Sequence, residues 1–438
     1  MTDSAAEVLR FIREQDVKFV RLTFCDLFGL QKNIAVMAAE LPRIFESGMI
    51  FDASAVRGLA PVEHSDLFLM PDCSTISILP WRPSHERVVR IFCDIQNPDG
   101  TEYVGDSRAI LKKAARRAAD MGYFCSVGAE CEFYLFRLDE QGNPTTEPLD
   151  YGSYGDLAPL DKAEDIRREI CLTLEEMDIR PEKSHHESGP GQNEVDFRYS
   201  EALSAADNLM TFKTVGKSIA AMHHLFASFL PKPLPGQFGN GMHINLSLMQ
   251  GGRNLFRTGK EHCPYAESFL AGILGRTAEM TAFLNPLVNS YERLGLAEAP
   301  KYISWSHQNR SQLIRIPATT GEANRMELRS PDPSCNPYLA FALLLHAGLD
   351  GIEEQAKLPA PCDKNLFEEG LASRLGIREL PGTLEEALDL AEKSPWIRKV
   401  LPGEVIDRYM AEKRREWETI RRAEDPWQEQ MRMYFRSI

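Results

Sequence analysis

The sequence predicts an α+β protein with a strand-built site and helices outside it. Three observations predict this. Strand-like segments with period-two alternation recur along the chain, separated by stretches of helical periodicity. Strands dominate the first hundred or so residues, whereas the end of the chain is helical. Four strand-like segments carry polar side chains on one face and apolar ones on the other, so the apolar faces would pack on helices and the polar faces would line a cavity.

The chain has 438 residues, enough for one large and one small domain. Hydrophobic residues at 43% and charged residues at 26% fit a soluble protein with a sizeable core. A net charge of -14 argues against a nucleic-acid partner and against binding to an anionic membrane surface. The nine cysteines are scattered without a CxxC pair, and the N-terminus reads as an amphipathic helix and not a signal peptide, which together fit a reducing cytoplasm. No apolar run approaches the ~18 residues of a membrane span.

In order, residues 5–15 read as a helix with Val8, Leu9, Phe11 and Ile12 buried. Two strands follow within 17–36, then a short helix over 38–46, a loop over 51–66 and strands at 66–70, 76–80 and 88–95. Asn97-Pro98-Asp99-Gly100 is a turn signal and marks a boundary, giving units 1–103 and 104–438. The larger unit is expected to hold a helix at 107–121, a strand at 130–136, a turn-rich loop from Gln141 to Asp156 and a helix at 164–177. Helices at 203–228 and 264–288 bracket the strand GMHINLSL. Strands at 302–306, 312–316 and 325–329 and helices at 336–355, 383–393 and 404–422 complete it.

The polar faces carry the chemistry. Glu130 and Glu132 flank Cys131; Glu194, Asp196 and Arg198 alternate with Val195 and Phe197; His243, Asn245 and Ser247 alternate with Ile244, Leu246 and Leu248; Arg325, Glu327 and Arg329 alternate with Met326 and Leu328. Glu187 and Glu194 stand on either side of a Gly-Pro-Gly turn. Taken singly, Glu-x-Glu is a solvated face, Arg325–Glu327–Arg329 a salt-bridge ladder, His185 incidental and the pair His223-His224 structural. Taken together, Glu130, Glu132, Glu187, Glu194, Glu327 and His243 could not all ionise face to face without a cation. Oxygen-rich sites with one imidazole suit Mg²⁺ or Mn²⁺, and six ligands suit two or three ions. Arg310, Arg315, Arg325 and Arg329 lie on adjoining segments, and metal ions beside arginines are what phosphoryl transfer needs. No GxxxxGK[ST] motif is present, so a P-loop is excluded.

The segments GAECEFYLF (128–136), SHHESGPGQNEVDF (184–197), PKPLPGQFGNGMHINLSL (231–248), NRSQLIRIP (309–317) and RMELRSPDPSCNPYLA (325–340) resemble, in order and spacing, the signatures of bacterial type I glutamine synthetase. The resemblance runs from about residue 17 to the C-terminus. It implies a small N-terminal β-grasp domain, a catalytic domain with a curved antiparallel sheet flanked by helices, and a dodecamer of two hexameric rings with active sites between subunits. It implies ATP-dependent ligation of ammonia to the γ-carboxylate of L-glutamate through γ-glutamyl phosphate. Glu132, Glu187 and Glu194 would hold the ion nearer glutamate, and Glu130, His243 and Glu327 the ion nearer the ATP phosphates. Arg293 would bind the substrate α-carboxylate and Gly239 would border the substrate. Arg310, Arg315 and Arg329 would clamp the γ-carboxylate and phosphates. Tyr199, Asn245, Ser247 and Arg325 would lie near the nucleotide. Asp52 from a neighbouring subunit would deprotonate ammonium, with Tyr154 and Glu187 completing the cation site, and Glu298 would sit on the flap that shields the intermediate.

The chain departs from the family pattern at Ala55, where a serine is usual; at Phe238, where an asparagine is usual; and in the flap RLGLAEAP, which is one residue short. Pro61 replaces an arginine that tunes feedback in one branch, and the segment NLFEEG has phenylalanine where another branch is adenylylated. The departures keep open a related ligase for a larger amine. A non-catalytic nitrogen-sensing homologue is the remaining alternative, and small regulatory proteins are candidate partners.

Overall fold

The computed structural model describes residues 3–256, 263–296, 298–319 and 321–438. Helix α1 (Asp3–Glu14) buries Ala5, Val8 and Ile12, with Leu9 and Phe11 packing from partly buried positions. Strands β1 (Val17–Cys25) and β2 (Gln31–Met37) form a hairpin, followed by α2 (Leu41–Ser47), β3 (Met49–Asp52), β4 (Asp66–Pro71), β5 (Ser77–Ile78) and β6 (Arg87–Gln96). The sheet order is β2-β1-β6-β4-β3, with β5 on β6; β1 and β6 run parallel at its centre. Val20, Leu22, Leu41, Ile44, Leu69, Val89 and Ile91 form the core beneath it. The expected loop at 51–66 begins inside β3, so Asp52 ends a strand; four residues are too short for periodicity to reveal.

The turn at 97–100 closes a bridge between Gln96 and Glu102, and Asp106 then caps α3 (Ser107–Asp120). Strand β7 (Phe124–Leu138) is more than twice as long as expected and pairs with five others. These are β8 (Pro144–Pro148), β10 (Gln192–Phe197), β11 (Ser200–Glu201), β12 (Leu225–Ser228) and β13 (Met242–Gln250). Between them lie α4 (Glu164–Glu176), β9 (Pro181–His186) and α5 (Ala202–Met222); beyond them come β14 (Arg253–Asn254), α6 (Pro264–Leu284), β15 (Trp305–His307), β16 (Ile314–Ile316) and β17 (Met326–Leu328). The eleven strands run β15-β16-β17-β13-β7-β10-β9, with the others on β7 and β13. All pairs are antiparallel except β15–β16, so the sheet is mixed at one edge.

Three expectations are corrected here. Strand β8 lies in what reads as a turn-rich loop, because a Pro- and Thr-rich edge strand has no apolar alternation. The helix expected to 228 stops at Met222, where His224 takes a positive φ of 56° and the chain turns into β12. The helix expected to 288 ends at Leu284.

Helices back the apolar face. In α7 (Pro337–Glu353) every residue except His346 and Glu353 is buried. It crosses α6 where glycines meet: a Cβ on Gly351 would stand 2.2 Å from the Ser268 carbonyl oxygen. Helices α8 (Leu371–Arg374), α9 (Leu384–Lys393), α10 (Pro395–Val400), α11 (Gly403–Arg421) and α12 (Pro426–Tyr434) close the chain. The nine cysteines are all free thiols. Among the described residues no helix is long and apolar enough to cross a membrane.

Candidate active site

The sheet register assembles the polar face in rows. Lys183, Asp196, Glu130 and His243 stand side by side across β9, β10, β7 and β13. Two residues along, and so on the same face, the next row is His185, Glu194 and Glu132. On the other side Asn245, Glu327 and Arg315 form a row across β13, β17 and β16. Glu187 follows β9 and is folded back by the Gly-Pro-Gly turn, whose amide of Gln192 donates to the Gly189 carbonyl at 3.0 Å. Glycine is needed at 189, since a Cβ would stand 2.1 Å from the Tyr134 hydroxyl.

A cavity of about 390 Å³ opens on these rows, lined by Glu130, Glu132, Glu187, Glu194 and His243 with Arg293, Arg310 and Arg329. Tyr154, Gly239 and Glu298 line it too, so three further expected residues come to the same place. Ligand atoms of Glu130, His243 and Glu327 all lie within 4.8 Å of one another, as do those of His185, Glu187 and Glu194. The His243 Nδ1 is 3.5 Å from Glu327 Oε1 and 3.7 Å from Glu130 Oε2. Glu132 faces the same cavity, but its Oε2 accepts from the Gly241 amide at 2.8 Å and from Gln192 Nε2 at 3.0 Å.

The electrostatics call for cations. Burial, then the charges of Glu187 and Glu194, push the Glu132 carboxyl well above its usual range. Burial and Glu194 raise Glu187 as well. Burial opposes ionisation of Glu130, yet the neighbouring His243 imidazole holds its carboxyl well below the usual range. Asp196 is buried, with Lys183 Nζ 2.6 Å from its Oδ2 and no hydrogen-bond partner on its Oδ1. A Cβ on Gly241 would stand 3.0 Å from His243 Nε2 and 3.3 Å from Glu132 Oε1, so the glycine keeps the space between two expected ligands open. An oxygen-rich donor set with imidazole and a clear centre fits hard divalent cations.

The arginines divide. Arg293 is 3% exposed and donates to the carbonyls of Ser330 (2.8 Å) and Arg329 (3.2 Å), which fixes its guanidinium at the cavity wall. Arg329 and Arg315 grip the two oxygens of Glu327 from opposite sides. Arg315 does not line this cavity, whereas Arg310 reaches it as an exposed side chain. A second cavity of about 90 Å³ is lined by Tyr199, Asn245, Ser247 and Arg325. Glu130 and Lys183 line both, so the two cavities adjoin. Asn245 donates to Glu130 at 2.9 Å and accepts from Arg325 Nε at 2.8 Å.

Asp52 lines neither cavity of its own chain. It is exposed, and hydrogen bonds from the Ser54 hydroxyl (2.6 Å) and amide (2.9 Å) hold its carboxyl below the usual range.

One histidine reading is reversed. His185 is not incidental: its Nε2 is 3.2 Å from Glu194, its Nδ1 3.5 Å from Glu187, and its ring packs on Tyr154 at 5.0 Å. His186 points the other way into a buried cluster, 2.8 Å from Asp150, which also accepts from three backbone amides. Arg198 lies beyond the end of β10 and is exposed, so it leaves the polar face. Lys183 and Gln192 went unnoticed in the sequence; the period-two spacing of Lys183 and His185 was the available signal, hidden because the strand PEKSHH has no apolar alternate positions.

Family models for the glutamine synthetase β-grasp domain and catalytic domain match residues 16–98 and 104–433. The chain belongs to the glutamine synthetase family. A protein named glutamine synthetase from Methanosarcina mazei is 47% identical over 428 residues, 96% of each chain. One of the same name from Clostridium saccharobutylicum is 45% identical over 430 residues, covering 96% of this chain and 97% of that one. Among solved structures, GmaS in complex with ADP superposes with a TM-score of 0.88 at 32% identity over 99% of both chains. In this family member the β-grasp sheet and the catalytic sheet are thus as expected, the one parallel edge pair apart.

Proposed function

We propose that this ligase joins ammonia to the γ-carboxylate of L-glutamate at the expense of ATP, giving L-glutamine, ADP and phosphate. The observation that carries the reading is the pair of carboxylate–histidine clusters on an arginine-lined cavity, one of which shares Glu130 with a second, adjoining cavity. Glutamate fits the first cavity, its α-carboxylate on Arg293 and its γ-carboxylate toward Arg310 and Arg329. ATP fits the second, near Tyr199, Asn245, Ser247 and Arg325, and Arg315 would turn to the phosphates from Glu327, which it holds here; the likeness to an ADP complex supports an adenine nucleotide there. Divalent ions, Mg²⁺ or Mn²⁺, held by Glu130, His243 and Glu327 and by Glu132, Glu187 and Glu194, would neutralise the transferring phosphoryl group and polarise the acceptor carboxylate.

A γ-carboxylate oxygen attacks the terminal phosphorus and ADP leaves. Ammonia attacks the carbonyl carbon of γ-glutamyl phosphate, and phosphate departs with the oxygen that bridged them. Asp52, exposed, ionised and away from its own cavities, suits the site of a neighbouring subunit, where it would take the proton of ammonium beside Tyr154 and Glu187. This reading places the chain in a ring assembly, two hexamers making a dodecamer. Glu298 at the cavity mouth would receive a proton from the adduct and exclude water.

A second reading, a larger amine as acceptor, is favoured by Phe238 at the cavity wall and by the likeness to GmaS. Phosphate release with ATP, Mg²⁺ and glutamate, followed by mass spectrometry of the product, separates them. The proposal expects glutamine in step with phosphate when ammonium is added. Phosphate coupled to product only with alkylamines would replace ammonia by the larger acceptor.

A further inference from the structure

Resting on the metal reading above, we infer that the ammonium group of Lys183 stands in for a third divalent cation between the two cavities, so that each subunit binds two ions and not three. Glu130, Glu194 and Asp196 form a third carboxylate group, with one oxygen from each within 4.8 Å of the others. Geometrically it could hold an ion as well as the other two groups. Two of its three carboxylates already share a cation: Lys183 Nζ is 2.6 Å from Asp196 Oδ2 and 3.1 Å from Glu194 Oε1. A divalent ion bound to those oxygens would sit at about 2.0–2.6 Å from each, in the space the ammonium fills, and would face a like charge at contact distance.

The charges balance on the same count. Glu130 also belongs to the group with His243 and Glu327, and Glu194 to the group with His185 and Glu187. Two divalent ions, with Arg315 and Arg329 on Glu327, would therefore already compensate those carboxylates together with Glu132. Asp196 alone belongs only to the third group, and its one negative charge matches the one positive charge of Lys183. The register fixes the match, because Lys183 and Asp196 are direct cross-strand partners on β9 and β10. Lys183 lines both cavities, so this fixed charge lies where phosphate would pass from nucleotide to acceptor. A lysine suits the place: a compact point charge on a flexible stem reaches two carboxylates without demanding bidentate geometry.

The test counts bound Mn²⁺ per subunit by equilibrium dialysis of the full-length protein with saturating ADP. Wild type and Lys183→Arg are expected to bind two ions, Lys183→Met three, and Lys183→Met/Asp196→Asn two again. The side chain of Lys183 is 53% exposed on an edge strand, so truncation leaves no core cavity; Lys183→Gln serves as a second neutral variant with the same expectation of three. Three ions in wild type, or two in both neutral variants, would overturn the inference and leave the metal reading standing. Fewer than two in wild type would overturn both.

Discussion

Adjacent side chains on one strand serve opposite faces, and His185 and His186 are the sharpest case. His185 stands among Glu187, Glu194 and Tyr154, and the hydrogen bond to Glu194 raises its pKa. His186 is fully buried against Asp150, whose carboxyl is held down to about 2, against burial, by that bond and by backbone amides. His185→Ala is therefore expected to cut ligase activity at least tenfold with thermal stability unchanged. His186→Ala is expected to cost about 1–3 kcal/mol of stability, because Asp150 is left buried and short of a partner. Chemical denaturation and steady-state rates on both variants check this; equal stability losses would contradict it. Glu130, Glu132, Glu194, Glu327 and His243 were legible because each sits on a strand with apolar alternate positions, whereas Glu187, just past β9, was marked by the Gly-Pro-Gly turn beside it. The place of His185 was not legible because its strand offers no apolar period to show which face each residue takes.

At the scale of elements, long periodic segments were legible and short or charged ones were not. Helices α3, α4 and α7 lie within two residues of expectation, since a sustained apolar stripe must be buried. Strands β3, β8 and β12 escaped notice because they have only four or five residues and are held by pairing with longer neighbours. One packing contact between elements has a measurable consequence. His346 on α7 faces Arg117 on α3, with Nδ1 3.1 Å from the guanidinium. Burial, then the Arg117 charge, pushes its pKa down to about 4, below the ~6.5 of an unfolded histidine. The unfolded chain therefore binds more protons between these values. The stability this histidine contributes is full above about pH 6.5 and is lost as pH falls through about 4. His346→Gln removes that component, at most about 3 kcal/mol and less for a partly exposed ring. Unfolding free energies measured at pH 7.5 and pH 4.5 should show a smaller drop for the variant; an equal drop would contradict the assignment.

At the scale of the molecule, the two sheets are joined by buried charge. Arg108, 3% exposed on α3, reaches Asp72 (2.9 Å) and Asp94 (2.6 Å) in the β-grasp domain and Asp207 (2.8 Å) on α5. That joint fixes where the β-grasp sheet, and with it Asp52, is presented. No spacing rule links Asp72 to Asp207, so the joint was not legible in the sequence, and the place of Asp52 outside its own cavities was expected from the family resemblance alone. If Asp52 serves a neighbour, two inactive variants should complement each other. Mixed Asp52→Ala and Glu327→Gln chains, refolded together, are expected to recover about a quarter of wild-type activity, the share of interfaces that pair one intact half from each in a head-to-tail ring. Activity no higher than that of either variant alone would place Asp52 in its own subunit's site or outside catalysis. The central claim is that the carboxylate of glutamate is phosphorylated before the amine attacks. It is tested most directly by using glutamate with both γ-carboxylate oxygens labelled with ¹⁸O and analysing the released phosphate by mass spectrometry. The account predicts one ¹⁸O in every phosphate formed with product; unlabelled phosphate accompanying the product would contradict it.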